Sequence, residues 1–362
     1  MEVKAHKYPT DFGDITLVRL VNSHGAAVTL SSLGAGILAV EVPDAGGEIA
    51  NVALAYRNPA DYMADGPTMG KTAGRYANRI AFGRFTLDGC RYQLDTNLPP
   101  HHLHGGAGGF QNRIWQTELL SNGVRFTLHS PDGEEHYPGA VDATVEYRWS
   151  DDNELSIMLK AASDAPTVVN LTNHTYWNLD GADSGCALDH ALQLKASRWL
   201  PTDETLIPTG EMAPVVGTPM DFISPKRLGA DINADFPALR YGKGYDNCWV
   251  LDREVSPATE SDGAIVVCHH AMLRDAVVLT AARSGRRLRI DTDQPGVQVY
   301  TGNWLAGSAH CRSGRSYADY DGVAIEAQGL PDAPNRPEFP SQRLNPGSPM
   351  IRNIRYRFDC VD

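Results

Sequence analysis

Hydrophobic and polar residues alternate with a period of two along most of the 362-residue chain, and turn residues cut the runs at short intervals. In 80-IAFGRFTLDGCRYQL-94, Phe85, Leu87, Tyr92 and Leu94 alternate on either side of Asp88-Gly89, a dipeptide that closes two-residue hairpin turns. A second hairpin is predicted from 143-ATVEYRW-149 through DDNE to 155-LSIMLKA-161, with Val145, Tyr147 and Trp149 answering Leu155, Ile157 and Leu159. Further strands are read over 124–130, 276–282, 287–292, 297–302 and 354–358. Long amphipathic helices are absent from the pattern. Two short ones are expected, over 59–64 with Asn58 as N-cap and over 225–230 with Ser224 as N-cap, each with Pro at its first position.

The 34 glycines and 23 prolines are spread along the chain, with no linker, charge block or fixed-period repeat to mark a boundary. The expected architecture is therefore all-β: one domain over residues 1–362, a large antiparallel β-sandwich with few short helices. At 42% hydrophobic residues the chain can fill such a core. The formal charge of −12, with no concentrated basic run, opposes nucleic acid and anionic membrane surfaces as partners. The N-terminus lacks the apolar core of a signal peptide and no apolar run is long enough to span a bilayer, so a soluble, cytoplasmic protein is expected. Six cysteines without a C-x-x-C pair argue against a zinc or redox motif and for reduced thiols, with Cys248 and Cys268 as small core residues.

Candidate chemistry lies where polar residues interrupt this pattern. Read as one strand, 169-VNLTNHTYWNLDG-181 puts Asn170, Thr172, His174 and Tyr176 on one face and Val169, Leu171, Asn173, Thr175 and Trp177 on the other. A histidine on an all-polar face beside Tyr176 and Trp177 points to a cleft. In 74-GRYANRIAFGRF-85, Asn78 and Arg79 offer forked donors for hydroxyl or carboxylate oxygens, and Arg79 equally suits a structural ion pair. In 99-PPHHLHGGAGGF-110, His102 and His104 would share a strand face and could bind a metal, but further ligands are missing nearby, as is the G-K-[ST] ending of a phosphate loop.

In 323-VAIEAQGLPDAPN-335, Glu326 and Gln328 oppose Val323, Ile325 and Ala327. A carboxylate bounded by Ile and Ala is poorly solvated, which draws its pKa up toward that of a general base; the alternative is a solvated charge at a strand end. Asp246 in 244-GYDNCWVL-251 is either a site residue or an Asx turn, and Gln298 in 297-VQVYTGNW-304 either a site residue or a backbone partner.

Taken together, G-R-Y-A-N-R-I at 74–80, H-L-H-G-G at 102–106, N-H-T-Y-W-N-L at 173–179, Y-D-N at 245–247, V-Q-V-Y-T-G-N at 297–303 and A-I-E-A-Q-G-L-P-D-A-P-N at 324–335 resemble the aldose 1-epimerase (galactose mutarotase) family, in order and over nearly the whole chain. The resemblance implies a galactose mutarotase-like β-sandwich with a sugar cleft, and interconversion of the α and β anomers of free aldohexoses such as galactose and glucose without cofactor or metal. It implies Glu326 as general base and His174 as general acid, with Asn78, Arg79, His104, Asp246 and Gln298 contacting substrate hydroxyls or supporting that pair. The partner is then a small monosaccharide, and a monomer and a homodimer are both compatible with the sequence. Residues between Asp183 and Leu192, and the stretch 252–267, carry no recognisable family residues.

Three other readings make distinct demands. An enzyme for phosphorylated hexose needs several Arg or Lys around a phosphate, for which Arg75, Arg79 and Arg113 are the nearby supply. A non-catalytic sugar-binding module would have lost the acid or the base. A glycoside hydrolase needs two carboxylates flanking the bond, a pose open to Asp246 with Glu326. Trp177 and Trp304 stand between two roles, sugar platform and core.

Overall fold

The computed structural model describes residues 1–63, 65–253 and 271–361, so Cys268 and most of the 252–267 stretch lie outside the described residues. A nine-stranded sheet forms the broad layer, in the order Gln116–Leu120, Gly123–Ser130, Val141–Trp149, Glu154–Ser163, Met350–Cys360, Arg286–Thr292, Leu273–Thr280, Ala191–Leu194 and Lys226–Arg227. Its pairings are antiparallel, and the hairpin register is the one the alternation predicts, with Val145 opposite Leu159, Tyr147 opposite Ile157 and Trp149 opposite Leu155. The first 51 residues make a five-stranded meander from Glu2–Tyr8 to Ile49–Asn51.

A six-stranded sheet faces the broad layer, ordered Tyr176–Trp177, Val323–Gln328, Gly296–Tyr300, Asp246–Val250, Arg198–Trp199 and Ala213–Pro214. Val297, Val299, Val323, Ile325 and Trp249 join Val145, Tyr147, Ile157, Ile354 and Tyr356 of the broad sheet, and Val28 and Val40 of the meander, in one buried cluster. Packing sheet against sheet through such alternate residues gives a large antiparallel β-sandwich. Because side chains alternate, the other face of the six-stranded sheet carries Glu326, Gln298 and Asp246 away from that cluster.

The Asp88-Gly89 hairpin forms as predicted: Leu87 pairs with Cys90, both turn residues have positive φ (50° and 77°), and Phe85 stacks on Tyr92 at 5.2 Å. The helices differ from expectation. Of the helix expected over 59–64, Ala64 lies outside the described residues and the rest gives a 3-10 turn, Pro59–Tyr62, preceded by an extended Asn58 whose side chain caps no backbone N–H. The helix expected over 225–230 does not form, because Lys226–Arg227 pairs with Ala191–Leu192 to extend the sheet edge, and only Leu228–Ala230 curl into a 3-10 turn. The α-helix among the described residues is Pro237–Gly242, ended by Lys243 at φ 55°. Among the described residues no helix is long and apolar enough to cross a membrane. Cys248 is buried, as expected, and the five described cysteines are free thiols.

Candidate active site

The polar segment 169–181 is not one strand. It forms two short pairings, Thr172–Asn173 with Thr72–Ala73 and Tyr176–Trp177 with Val323–Ala324, and both of its faces are buried. Its polar side chains replace the missing ladder bonds. Asn170 donates to the carbonyls of Ala77 and Gly329 and accepts from the Gly329 N–H; Thr172 donates to Ala327 O, and Asn173 to Gly70 O. Side-chain amides thus satisfy backbone groups that an irregular buried segment would otherwise leave bare. Trp177 is core, edge-on to Tyr356 at 5.1 Å.

This stapling delivers His174 to a cleft of about 580 Å³ on the outer face of the six-stranded sheet. The imidazole Nε2 lies 3.4 Å from Glu326 Oε1, although the two residues come from opposite halves of the chain. Both are almost fully buried (5% and 2% exposed), which removes the solvated-charge reading of Glu326. Burial, reinforced by the nearby Asp246 carboxylate, pushes the Glu326 carboxyl well above the ordinary carboxylate value against a smaller pull from Arg79. Burial also pushes His174 down to about 4. Over a wide pH range the pair therefore holds one proton between them, and the neutral pair and the carboxylate–imidazolium pair are two forms of one protonation state.

Asn78, Arg79 and His104 come from a latch between two loops. The chain pairs Arg79 with Leu103 and turns at Asn78 through φ 64°, a conformation Asn tolerates. Asn78 N–H donates to His104 Nδ1 at 3.1 Å, and His104 N–H returns a bond to Asn78 O. The next residue, Gly105, has φ 82°, and a Cβ there would lie 2.1 Å from Gly74 O, so only glycine fits. With Nδ1 accepting, the His104 ring proton resides on Nε2, and burial together with the neighbouring His174 keeps the ring neutral by lowering its pKa well below the usual value. The two rings meet edge-on at 5.3 Å.

That tautomer bears on metal binding. His104, His174 and Glu326 offer ligand atoms within 4.8 Å of one another, but the Asn78 N–H holds the His104 lone pair on Nδ1, leaving Nε2 a donor. The residues fit a hydrogen-bonding site rather than a metal centre. His102, the other half of the sequence pair, is held elsewhere: its Nδ1 contacts Asp95 O at 2.6 Å and its Nε2 meets the Tyr137 hydroxyl at 2.8 Å.

Arg79 and Asp246 both line the cleft and pair with each other, Nη2 to Oδ2 at 3.3 Å, so the ion-pair and site readings of Arg79 coincide. Asp246 makes no Asx turn; its Oδ1 accepts from Gln298 Nε2 at 2.6 Å. Gln298 sits directly opposite Glu326 in the ladder and touches Asp246, but is not itself among the residues lining the cleft. Arg75 and Arg113 are engaged away from the cleft, with Gly139 O and with Glu134 respectively. Trp304, half exposed, lies parallel to Tyr300 at the cleft mouth, 6.3 Å between centroids. Of the remaining wall, Pro99–His101 fall in the histidine and glycine stretch singled out above, whereas Gly66–Thr68 and Glu204–Leu206 were not singled out, because loops carry no period.

A carboxylate, two imidazoles and an Arg–Asp pair thus meet in one cleft on the outer face of a large β-sandwich, a set of groups able to hydrogen-bond hydroxyls and to move protons. Comparison with known proteins agrees. The profile of the aldose 1-epimerase family matches residues 16–357. The chain is 40% identical to galactose mutarotase of Homo sapiens (92% of this chain, 91% of that one) and 37% identical to aldose 1-epimerase of Escherichia coli K12 (94% of each). The solved structure of galactose 1-epimerase from Lactobacillus acidophilus NCFM superposes with a TM-score of 0.82 at 28% identity, covering 100% of both chains. The chain belongs to the aldose 1-epimerase family.

Proposed function

We propose that this protein interconverts the α and β anomers of a free aldohexose, with Glu326 as base and His174 as acid. The observation that carries the reading is their 3.4 Å contact inside a cleft that also presents Asn78, Arg79, His104 and Asp246. Opening the ring requires removal of the anomeric O–H proton and delivery of a proton to the ring oxygen. The pair already holds the one proton this needs. A bound sugar donating to Glu326 and accepting from His174 favours the carboxylate–imidazolium form, so no proton is drawn from solvent. After opening, rotation about the bond between the first two carbons presents the other carbonyl face, and reclosure with reversed roles restores both groups. The His104 Nε2–H is a neutral donor for a sugar oxygen, and Asn78, Arg79 and Asp246 are the candidates for binding the remaining hydroxyls, with Gln298 supporting Asp246.

Charge favours a neutral sugar over a phosphorylated one: Arg79 is the one Arg or Lys along the described lining, it is paired with Asp246, and Glu204 and Glu326 add further carboxyl groups. A hydrolase would need Asp246 and Glu326 to flank the scissile bond as a carboxylate pair, whereas Glu326 is in contact with His174 and Asp246 is held by Arg79 and Gln298. The main hydrophobic cluster runs from Val18 to Phe358, which supports one folding unit across the chain. The test is polarimetry on freshly dissolved α-galactose and α-glucose. Native protein should speed relaxation above the buffer rate, and Glu326→Gln should lose about 10²- to 10⁴-fold of that effect. Relaxation at the buffer rate for both sugars overturns the reading.

A further inference from the structure

One pair of charges has no part in this proton chemistry. Lys71 and Asp65 form an ion pair with side chains 0% and 2% exposed. Taking two ions out of water commonly costs as much as their attraction returns, and apolar residues of similar volume serve stability at least as well. Stability alone is therefore a weak account of it.

Its connections lead to three parts of the cleft. Asp65 Oδ2 accepts the Met69 N–H at 2.6 Å, closing the turn in which Gly66, Pro67 and Thr68 line the cleft. The Lys71 ammonium donates to Tyr62 O at 2.8 Å and to Asn112 Oδ1 at 3.3 Å, and Asn112 Nδ2 holds Ala107 O at 2.9 Å, in the glycine loop that follows His104. The backbone beside the ammonium brackets the proposed acid: His174 N–H donates to Lys71 O at 2.8 Å, and Gly70 N–H donates to His174 O at 2.9 Å.

We propose that the Lys71–Asp65 ion pair is a positioning device for the reaction, fixing His174, the loop behind His104 and the Gly66–Thr68 wall relative to one another without touching the sugar. The proposal rests on the epimerase reading. A rigid offset of about 1 Å between reacting groups costs on the order of 100-fold in rate, so a pair that sets such offsets is visible in kinetics.

The test compares Asp65→Asn, Lys71→Met and the double variant with native protein by polarimetry and thermal melting. Lys71→Met leaves a buried carboxylate without its cation and should lose both stability and kcat/KM. The double variant holds no unpaired ion and should recover most of the melting temperature. Its kcat/KM should stay about 10- to 100-fold down, because a thioether cannot donate to Tyr62 O or Asn112. Recovery of kcat and KM in step with the melting temperature overturns the proposal, since that is the behaviour of a purely structural pair. Should the double variant fail to fold, Asn112→Ala decides: it leaves the ion pair intact, cuts the link to Ala107, and should raise KM with a loss of melting temperature small beside that of Lys71→Met, whereas native kinetics there overturn the proposal. Native protein that fails to speed mutarotation refutes the epimerase reading itself, and is seen before any variant is compared.

Discussion

Replacing His174 by Gln should remove a specific part of the protein's sensitivity to acid. In the native fold burial holds this imidazole at about 4, whereas its ordinary value is 6.5. Above pH 6.5 the ring is neutral in both folded and unfolded chains, and titration costs nothing. Between 6.5 and 4 only the unfolded chain takes up the proton, so stability falls as pH falls, by about 1.4 kcal/mol per pH unit. Below 4 both states are protonated and the loss levels off at about 3.4 kcal/mol. Between pH 7.5 and pH 4.5 the histidine alone therefore costs native protein about 2.5 kcal/mol. His190, fully buried with Nε2 accepting the Leu179 N–H and likewise pushed down to about 4, contributes the same slope to both proteins and cancels. Urea titrations at the two pH values, native against His174→Gln, read the difference directly. The variant should gain about 2.5 kcal/mol on native protein as pH drops. Parallel losses in the two proteins would mean that the ring is protonated in the fold at pH 4.5, and the account of a neutral buried acid fails.

The companion carboxyl has the opposite sign: with its folded pKa well above the ordinary 4.5, Glu326 costs stability as pH rises from 4.5 toward the folded value, so Glu326→Gln should become more stable than native protein on going from pH 4 to pH 8, and a constant difference between the two would refute the raised pKa. Gly105→Ala should cost more than the roughly 1 kcal/mol of a positive-φ alanine, and should depress turnover by displacing His104, whereas Gly133→Ala, at a similar φ of 81° but with open space around it, should show only the backbone cost and native kinetics.

Much of the fold was legible because its signal is local. Phe85, Tyr92, Val145 and Leu159 pair where the two-residue period puts them, and Asp88-Gly89 closes the turn its chemistry favours. The segment 225–230 misled because Pro225 after Ser224 is a local helix start, while the outcome was set by an open sheet edge beside Ala191–Leu194. The meander of the first 51 residues was less legible, since Gly36–Pro43 is buried on nearly every residue and does not alternate. At the site, His174 and Glu326 were visible as polar residues out of pattern, but their meeting depends on cross-chain stapling by Asn170 and Thr172, which no spacing encodes. Lys71 gave no sign at all, because a lysine in a glycine-rich turn ordinarily belongs to solvent.

The strand Val323–Gln328 carries Glu326 between Ile325 and Ala327, with aliphatic neighbours in the core and the carboxyl facing outward. A slip of one residue against Gly296–Tyr300 would drive the carboxyl into the apolar cluster and turn Ile325 to the cleft. Such a misfit is penalised far more heavily than exchanging one aliphatic residue for another. A one-residue slip is thus disfavoured by Glu326 itself, and an alanine at 326 would remove the proposed base and this penalty on misregistered pairing in a single change.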